Sequence, residues 1–168
     1  IRDGRSFVHR HVRAVQDGRT IFMMQAGFHV RGDTGIEHSD AMRDVPDPED
    51  VVVDVSTMPR ARRLLFAEWS DWDIRVVPAD QYSHNPYTPS QQVVWFRSKE
   101  RLPDDETFHV STLAYMSDMT LLSSAKVPHP GVKLQEASLD HAMWFLRPFR
   151  ADEWLLYDQV SPSAHAGR

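Results

Sequence analysis

Cysteine is absent from this sequence of 168 residues. Its absence excludes disulfide frameworks, thiolate zinc sites and cysteine nucleophiles. It is compatible with a reducing compartment such as the cytoplasm, where we expect the protein to act. No apolar run approaches the roughly 18 residues that a membrane-spanning helix needs, and no signal peptide is recognisable. We therefore expect no membrane span.

Positive charge is also scarce. Lys and Arg number 19 against 24 Asp and Glu, and the formal net charge is -5. Only Lys99, Lys126 and Lys133 are lysines, and a bias towards arginine is typical of a G+C-rich bacterial genome. A mildly acidic chain is a poor candidate for non-specific nucleic-acid binding, which depends on neutralising phosphates. We expect no nucleic-acid partner, although local arginines can still bind a small anionic ligand.

The composition that remains is that of a globular protein. Hydrophobic residues make up 41% and charged residues 26%, which excludes long disorder and low-complexity architectures. A mass of 19.4 kDa corresponds to one domain or two small ones. Ile1 is not a natural start, and Arg168 ends an unfinished segment, so we expect residues to be missing at both ends.

The first part of the chain predicts a β-hairpin. Residues 6–16 and 20–30 are rich in apolar residues with near alternation. Between them stands Asp17-Gly18, a dipeptide that tolerates the positive φ angles of a tight primed turn. Because two strands alone are marginally stable in water, we expect this hairpin to pair with something else.

Further along, the pattern predicts one long helix among several strands. Residues 107–125 are apolar around nearly the whole circumference, which predicts a helix buried on all sides. An alternating strand is predicted at residues 135–145 and another at 153–160. Shorter elements are predicted as a helix at 60–69 and strands at 72–78 and 91–97. This order indicates an α+β fold, in which an antiparallel sheet encloses a single helix.

One region carries an unusual motif. Residues 137–149 read ASLDHAMWFLRPF, and residues 153–157 read EWLLY. This run closely resembles that of the acyl-CoA thioesterase II family, the TesB-like thioesterases. Shorter similarities occur at residues 2–7 and 84–86 and in Tyr115-Met116-Ser117-Asp118. The resemblance covers nearly the whole chain except the segment after the hairpin.

The resemblance implies a double hotdog fold, in which two sheets each wrap one helix. On that basis, residues 1–31 form the closing hairpin of the first hotdog domain. Residues 32–70, which are rich in Gly, Pro and acidic side chains, form a linker. Residues 71–168 form the second hotdog domain, which lacks its last strands. Such proteins tend to associate through their sheets, so we expect a homo-oligomer.

The resemblance also implies a reaction and its residues. Members hydrolyse fatty acyl-CoA thioesters with a water activated by an Asp, a Ser or Thr, and a Gln, without a cofactor or metal. The Asp falls on Asp140. The hydroxyl falls on Ser161 or, as second choice, Ser163, because Pro162 replaces the threonine of some members. The Gln lies beyond Arg168.

Two further requirements follow from this chemistry. The developing oxyanion needs donors, and the unpaired backbone N–H groups at the start of the long helix are the expected source. The phosphates of CoA favour arginine, and we expect Arg147, Arg150 or Arg168 to contact them.

Other interpretations of the same residues stay open. Asp140-His141 resembles the acid/base pair of a hotdog enoyl-CoA hydratase or dehydratase, and an acyl-CoA-binding module without catalysis is a third possibility. By alternation His141 faces the apolar side, which favours a hydrogen-bonded core histidine. His9 and His11 share a strand face without a third ligand, so we expect no metal site.

Overall fold

A computed structural model describes residues 2–30, 32 and 34–166, and the chain forms two compact units, Ile1–Ala41 and Met42–Arg168. The first unit contains the predicted hairpin. Its strands are β1 (Arg2–Asp3), β2 (Phe7–Gln16) and β3 (Arg19–His29), antiparallel in the order β1-β2-β3. The turn between β2 and β3 places Asp17 at φ 48° and Gly18 at φ 75°, as a primed hairpin turn requires.

The hairpin leaves much of its apolar surface exposed within its own unit. Ile21, Met23 and Phe28 are 63%, 76% and 57% exposed. A two-stranded ribbon with a two-residue edge strand offers nothing to bury these side chains against. The hairpin is therefore held mainly by its backbone ladder and turn rather than by a core.

The second unit contains a three-stranded antiparallel sheet in the order β4-β5-β6. Three short 3-10 turns also occur, at Pro48–Asp50, Val55–Thr57 and Ala79–Gln81. The helices and strands of this unit are α1 (Arg60–Glu68), β4 (Trp72–Val76), β5 (Gln91–Ser98), α2 (Glu106–Asp118), α3 (Leu121–Lys126) and β6 (Leu155–Val160).

The central strand β5 is buried on both faces. Val93 and Val94 are both fully buried, although successive side chains of a strand point to opposite faces. Val93 joins a small core with Val51 and Tyr82, whereas Val94 joins a second core with Met116 of α2. This double coverage explains the apolar run of β5 in the sequence.

The prediction of one long, fully buried helix at residues 107–125 is wrong in two respects. It is broken between α2 and α3 at Met119 and Thr120, and it is not enclosed on all sides. Tyr115 is 62% exposed and Phe108 is 46% exposed. As far as the structure describes this unit, its sheet has three strands, which cover one side of the helix and leave the other open.

The predicted strand at residues 135–145 does not form. Residues 132–146, which we call the motif segment, have no regular secondary structure, and most of their side chains are exposed. Leu139 is 92% exposed and Trp144 is 79% exposed. A strand needs a neighbour to accept and donate its backbone hydrogen bonds, and no described strand lies beside this segment.

The second unit begins before the end of the predicted linker. Val51 is 2% exposed in the core beneath β5, and Phe66 of α1 packs against the core beneath α2. Residues 42–70 are therefore part of the second unit, and the assignment of the chain to two hotdog domains stays a prediction. Among the described residues, no helix is long and apolar enough to cross a membrane.

Candidate active site

Asp140 lies in the motif segment beside the carboxyl-terminal end of α2. On one side of it in the sequence, Ser138 Oγ donates a hydrogen bond to Asp118 Oδ1 at 3.1 Å. On the other side, His141 Nε2 lies 3.1 Å from Ser117 Oγ. The side chain of Asp140 is exposed, and no hydrogen bond or ion pair joins it to another described residue. The Asp140 carboxylate is thus open to solvent, whereas the side chains of Ser138 and His141 on either side of it contact α2.

The motif segment is attached to the helices at further points. Lys126 Nζ of α3 lies 2.8 Å from Glu136 Oε1. Met143 Sδ lies 3.6 Å from Ser117 Oγ. These contacts show that the segment runs antiparallel to α2 and α3, held by side chains instead of a backbone ladder.

The burial of His141 differs from what the sequence predicts. Its ring is hydrogen-bonded, as expected, but the residue is exposed rather than in the core. The buried partner in this contact is Ser117, which is 5% exposed. The alternation argument, which placed His141 on the apolar face of a strand, does not apply because the strand does not form, and Ser138, assigned to the opposite face, also bonds α2.

The two predicted serines lie just after β6. Ser161 continues the ladder, since its backbone N–H donates to the Ser90 carbonyl at 2.9 Å. Its hydroxyl makes only a long contact of 3.5 Å with the Ser163 carbonyl, and Ser163 is exposed. Within the described residues, no hydrogen bond joins either serine to Asp140, so the structure does not bring the predicted catalytic residues into direct contact.

A buried polar network, which was missed from the sequence, lies at the same end of the sheet. Gln92 and Gln159 are register partners on β5 and β6, and Gln92 Nε2 donates to Gln159 Oε1 at 2.8 Å. Gln159 Nε2 donates in turn to Thr120 Oγ1 at 2.7 Å. The network ties the break between α2 and α3 to the strand that leads to Ser161. The sequence gives one indication of this network, which is that each of two apolar strands carries a glutamine at a position that faces inward.

Tyr157 joins this region to the helix. Its hydroxyl donates to the Ser117 carbonyl at 3.2 Å. Burial, followed by the negative charge of Asp118, raises the pKa of Tyr157 above its usual value. The tyrosine therefore remains a neutral donor at physiological pH and holds the residue that contacts His141.

The start of α2 does not provide the expected oxyanion site. Asp105 caps the helix, and its side chain accepts a hydrogen bond from the Thr107 N–H at 2.9 Å. Its carbonyl accepts from the N–H groups of Phe108 and His109. A capping carboxylate occupies the positive end of the helix. The start of α2 is also far from Asp140, which lies beside Ser117, eleven residues further along the helix, or roughly 16 Å at 1.5 Å per residue.

The three arginines predicted to contact the CoA phosphates differ in what the structure shows of them. Arg147 is exposed after the motif segment, and Arg168 lies outside the described residues. Arg150 has a structural role. Its Nε and Nη2 atoms each donate to the Asp152 carboxylate at 2.8 Å, and it also donates to the Leu102 carbonyl. These bonds from Arg150 hold the pKa of Asp152 far below its usual value.

The described part of the chain contains no group of three or more His, Cys, Asp or Glu that could hold a metal ion. The geometry around Asp140 is that of an exposed carboxylate on a segment held by side chains to the end of α2, and the two predicted serines follow β6 without a described contact to it. A carboxylate in this setting can accept a proton from water.

Comparison with known proteins identifies the family. A family model described as acyl-CoA thioesterase matches residues 65–168. The chain belongs to the acyl-CoA thioesterase family. The matched region contains every described residue of the candidate site.

Relatives of this family match the chain along its length. Acyl-coenzyme A thioesterase 8 from Mus musculus is 34% identical over 184 residues, covering 100% of this chain and 58% of the relative. Acyl-CoA thioesterase 2 from Haemophilus influenzae is 32% identical, covering 100% of this chain and 62% of the relative. The chain thus spans about three fifths of the length of the thioesterases it matches.

Solved structures give the same result for the fold. An acyl-CoA thioesterase II, TesB2, from Mycobacterium marinum is 51% identical with a TM-score of 0.87, covering 99% of this chain and 60% of that one. A tesB protein from Mycobacterium avium subsp. paratuberculosis has a TM-score of 0.75 at 27% identity. These matches confirm the TesB-like thioesterase II family and the α+β, double hotdog fold class for this chain.

Proposed function

We propose that the protein hydrolyses fatty acyl-CoA thioesters to a free fatty acid and CoA, with Asp140 as the general base. The observation that carries the proposal is the family match over residues 65–168, which includes Asp140 as an exposed carboxylate without a hydrogen-bond partner among the described residues. An unpaired, accessible carboxylate flanked by anchored residues is suited to hold and deprotonate a water molecule.

The reaction proceeds by addition and elimination. Asp140 accepts a proton from water, and the resulting hydroxide adds to the thioester carbonyl carbon. The carbon–sulfur bond then breaks, and the CoA thiolate takes up the proton that Asp140 accepted. General-base assistance of this kind contributes about 10²- to 10⁴-fold in rate. No covalent nucleophile is needed.

The hydroxyl that orients the water is Ser161, with Ser163 as the alternative. Ser161 has the better-defined backbone, because its N–H continues the β5–β6 ladder. Its hydroxyl is not committed to a strong hydrogen bond, since the contact with the Ser163 carbonyl is 3.5 Å long. A hydroxyl in this state is available to bind water near the carboxylate, which contributes through orientation.

The substrate and setting are part of the same proposal. The diphosphate and 3′-phosphate of CoA require cations, and Arg147 and Arg168 are the side chains that we assign to them. Arg150 is excluded from this role because its guanidinium is bound to Asp152. The proposal includes a cytoplasmic location, with which the absence of cysteine is compatible, and association into a homo-oligomer, for which the hairpin offers exposed apolar side chains.

Hydrolysis of palmitoyl-CoA by full-length protein, followed with a thiol reagent, tests the function. We expect free CoA to appear at least 100-fold more slowly with Asp140→Asn than with the wild type. Asp80→Asn, which changes an exposed carboxylate on a surface turn, is the matched control and should retain full activity. Equal rates for the wild type and Asp140→Asn contradict the assignment. Loss of crotonyl-CoA absorbance instead would indicate the hydratase, and tight binding without turnover would indicate the binding module.

A further inference from the structure

The carboxylate assigned as the base stands between two side-chain tethers. Ser138, two residues before it, bonds Asp118, and His141, the next residue, contacts Ser117. Because the motif segment has no backbone ladder, these contacts take the place of strand pairing. The position of Asp140 therefore depends on side chains that do not themselves react.

The tether through Ser117 is the most firmly anchored of these contacts. Ser117 is 5% exposed, and the Tyr157 hydroxyl bonds its carbonyl. By contrast, the ion pair between Lys126 and Glu136 leaves 38% and 30% of its side chains exposed, and exposed ion pairs contribute little. A hydrogen bond to a buried, fixed oxygen is costly to lose.

The donor in this contact can be assigned. The Ser117 hydroxyl has one proton, and its shortest contact is with the Ala114 carbonyl at 2.9 Å. Its oxygen is left to accept, so His141 donates through Nε2–H at 3.1 Å. This hydrogen bond fixes the orientation of the His141 imidazole. Because His141 directly follows Asp140, a single peptide bond joins the fixed residue to the one that carries the carboxylate.

We propose that Ser117 and His141 are positioning residues that hold Asp140 in place, with the buried Ser117 oxygen as the fixed point and the His141 ring as the connection. The proposal rests on the proposed thioesterase function. His141 acts on geometry alone in this scheme, and it neither takes nor gives a proton in the reaction. A misplacement of about 1 Å can cost roughly 100-fold in rate.

Steady-state kinetics on full-length protein with palmitoyl-CoA test this role. His141→Phe keeps a planar ring but removes the donor, and we expect kcat to fall about 10- to 100-fold with KM changed less than threefold. His141→Gln retains an N–H at a similar reach and should restore kcat to within about threefold of the wild type. Ser117→Ala should match His141→Phe, and the double variant should lose no more than either single variant.

Two controls separate positioning from folding. Ser111→Ala removes an exposed hydroxyl of α2 that bonds a carbonyl one turn back at 2.8 Å, and His129→Phe changes an exposed histidine after α3. Both should retain wild-type kcat. Thermal melting of every variant checks that the loss does not arise from unfolded protein.

The outcomes distinguish the two proposals. If the wild type releases no CoA, the thioesterase function fails, and if it is active but no faster than Asp140→Asn, the assignment of Asp140 as the base fails; in both cases the positioning role fails as well. If Asp140→Asn is inactive but His141→Phe keeps a kcat within twofold of the wild type, the function stands and the positioning role is overturned. A His141→Gln variant as impaired as His141→Phe also overturns it, as does multiplicative loss in the double variant.

Discussion

Strand β5 and the motif segment are two regions with similar sequence signals and different structures. Both carry apolar residues in a pattern that predicts a strand, and both contain Trp and Phe. Strand β5 pairs with β4 and β6 and is covered on both faces. Among the described residues the motif segment pairs with no strand and is mostly exposed, and a few side chains hold it to the helices. The difference shows that an apolar stretch with strand-forming residues becomes a strand only where another strand supplies its hydrogen bonds.

The largest predicted effect tests this contrast directly. Phe96→Ala in β5, where the side chain is 6% exposed, should lower the free energy of unfolding by about 4 kcal/mol through lost burial and a cavity. Leu139→Ala in the motif segment, where the side chain is 92% exposed, should change it by less than about 0.5 kcal/mol. Urea denaturation measures both. A comparable loss for Leu139→Ala would show that the segment is packed into a core.

The second effect concerns the turn that joins the motif segment to β6. Asp152 is only 3% exposed on its side chain and is bound by Arg150 and by the Leu102 N–H. At pH 7, Asp152→Asn should cost roughly 3 kcal/mol, because the Arg150 charge loses its buried partner. Urea denaturation checks this value, with the exposed Asp80→Asn as the control.

The same pair predicts a dependence on pH with a definite sign. The pKa of Asp152 is lowered in the folded state, so its contribution is fully present above the unfolded value of about 3.9. Below that value the unfolded chain binds a proton that the folded chain does not, and the contribution is progressively lost. The stability difference between wild type and Asp152→Asn should therefore shrink as the pH falls below about 4. A difference that stays constant down to pH 2 would contradict this account.

The smallest effect concerns the other end of the sheet. Gln159→Ala removes the donor to the Thr120 hydroxyl and leaves the Gln92 amide with only its 3.4 Å contact to the Thr120 carbonyl, and both residues are buried. We expect a loss of about 1 to 2 kcal/mol in unfolding free energy. Gln81→Ala, on an exposed turn, is the matched control. Equal stability of the two variants would show that the network contributes nothing beyond filling space.

Much of the fold could be predicted from the sequence. The hairpin was predicted from Asp17-Gly18, whose φ angles are positive in the structure. Helix α1 and strands β4, β5 and β6 lie where the pattern indicated. These elements depend on local turn chemistry and on a short-range periodicity, and both are contained within a few neighbouring residues.

The site was predictable only in part. The motif around Asp140 indicates the family from sequence alone, because its residue types and order are unusual. The glutamine network was missed, since a buried glutamine is recognisable only from the partner that satisfies it. The contact between His141 and Ser117 joins residues that lie far apart in the sequence, and no local pattern indicates such a pair.

The sequence by itself determined the family and the turn of the hairpin, and it indicated Asp140 as the carboxylate that we propose as the base, because each follows from residue types in a fixed order. Only the tertiary structure decided that the long helix breaks at Thr120, that its start is capped by Asp105, and that Asp140 lies beside the opposite end. These outcomes depend on which side chains meet across the fold, and burial, capping and hydrogen bonding between distant residues are settled only when the chain has folded.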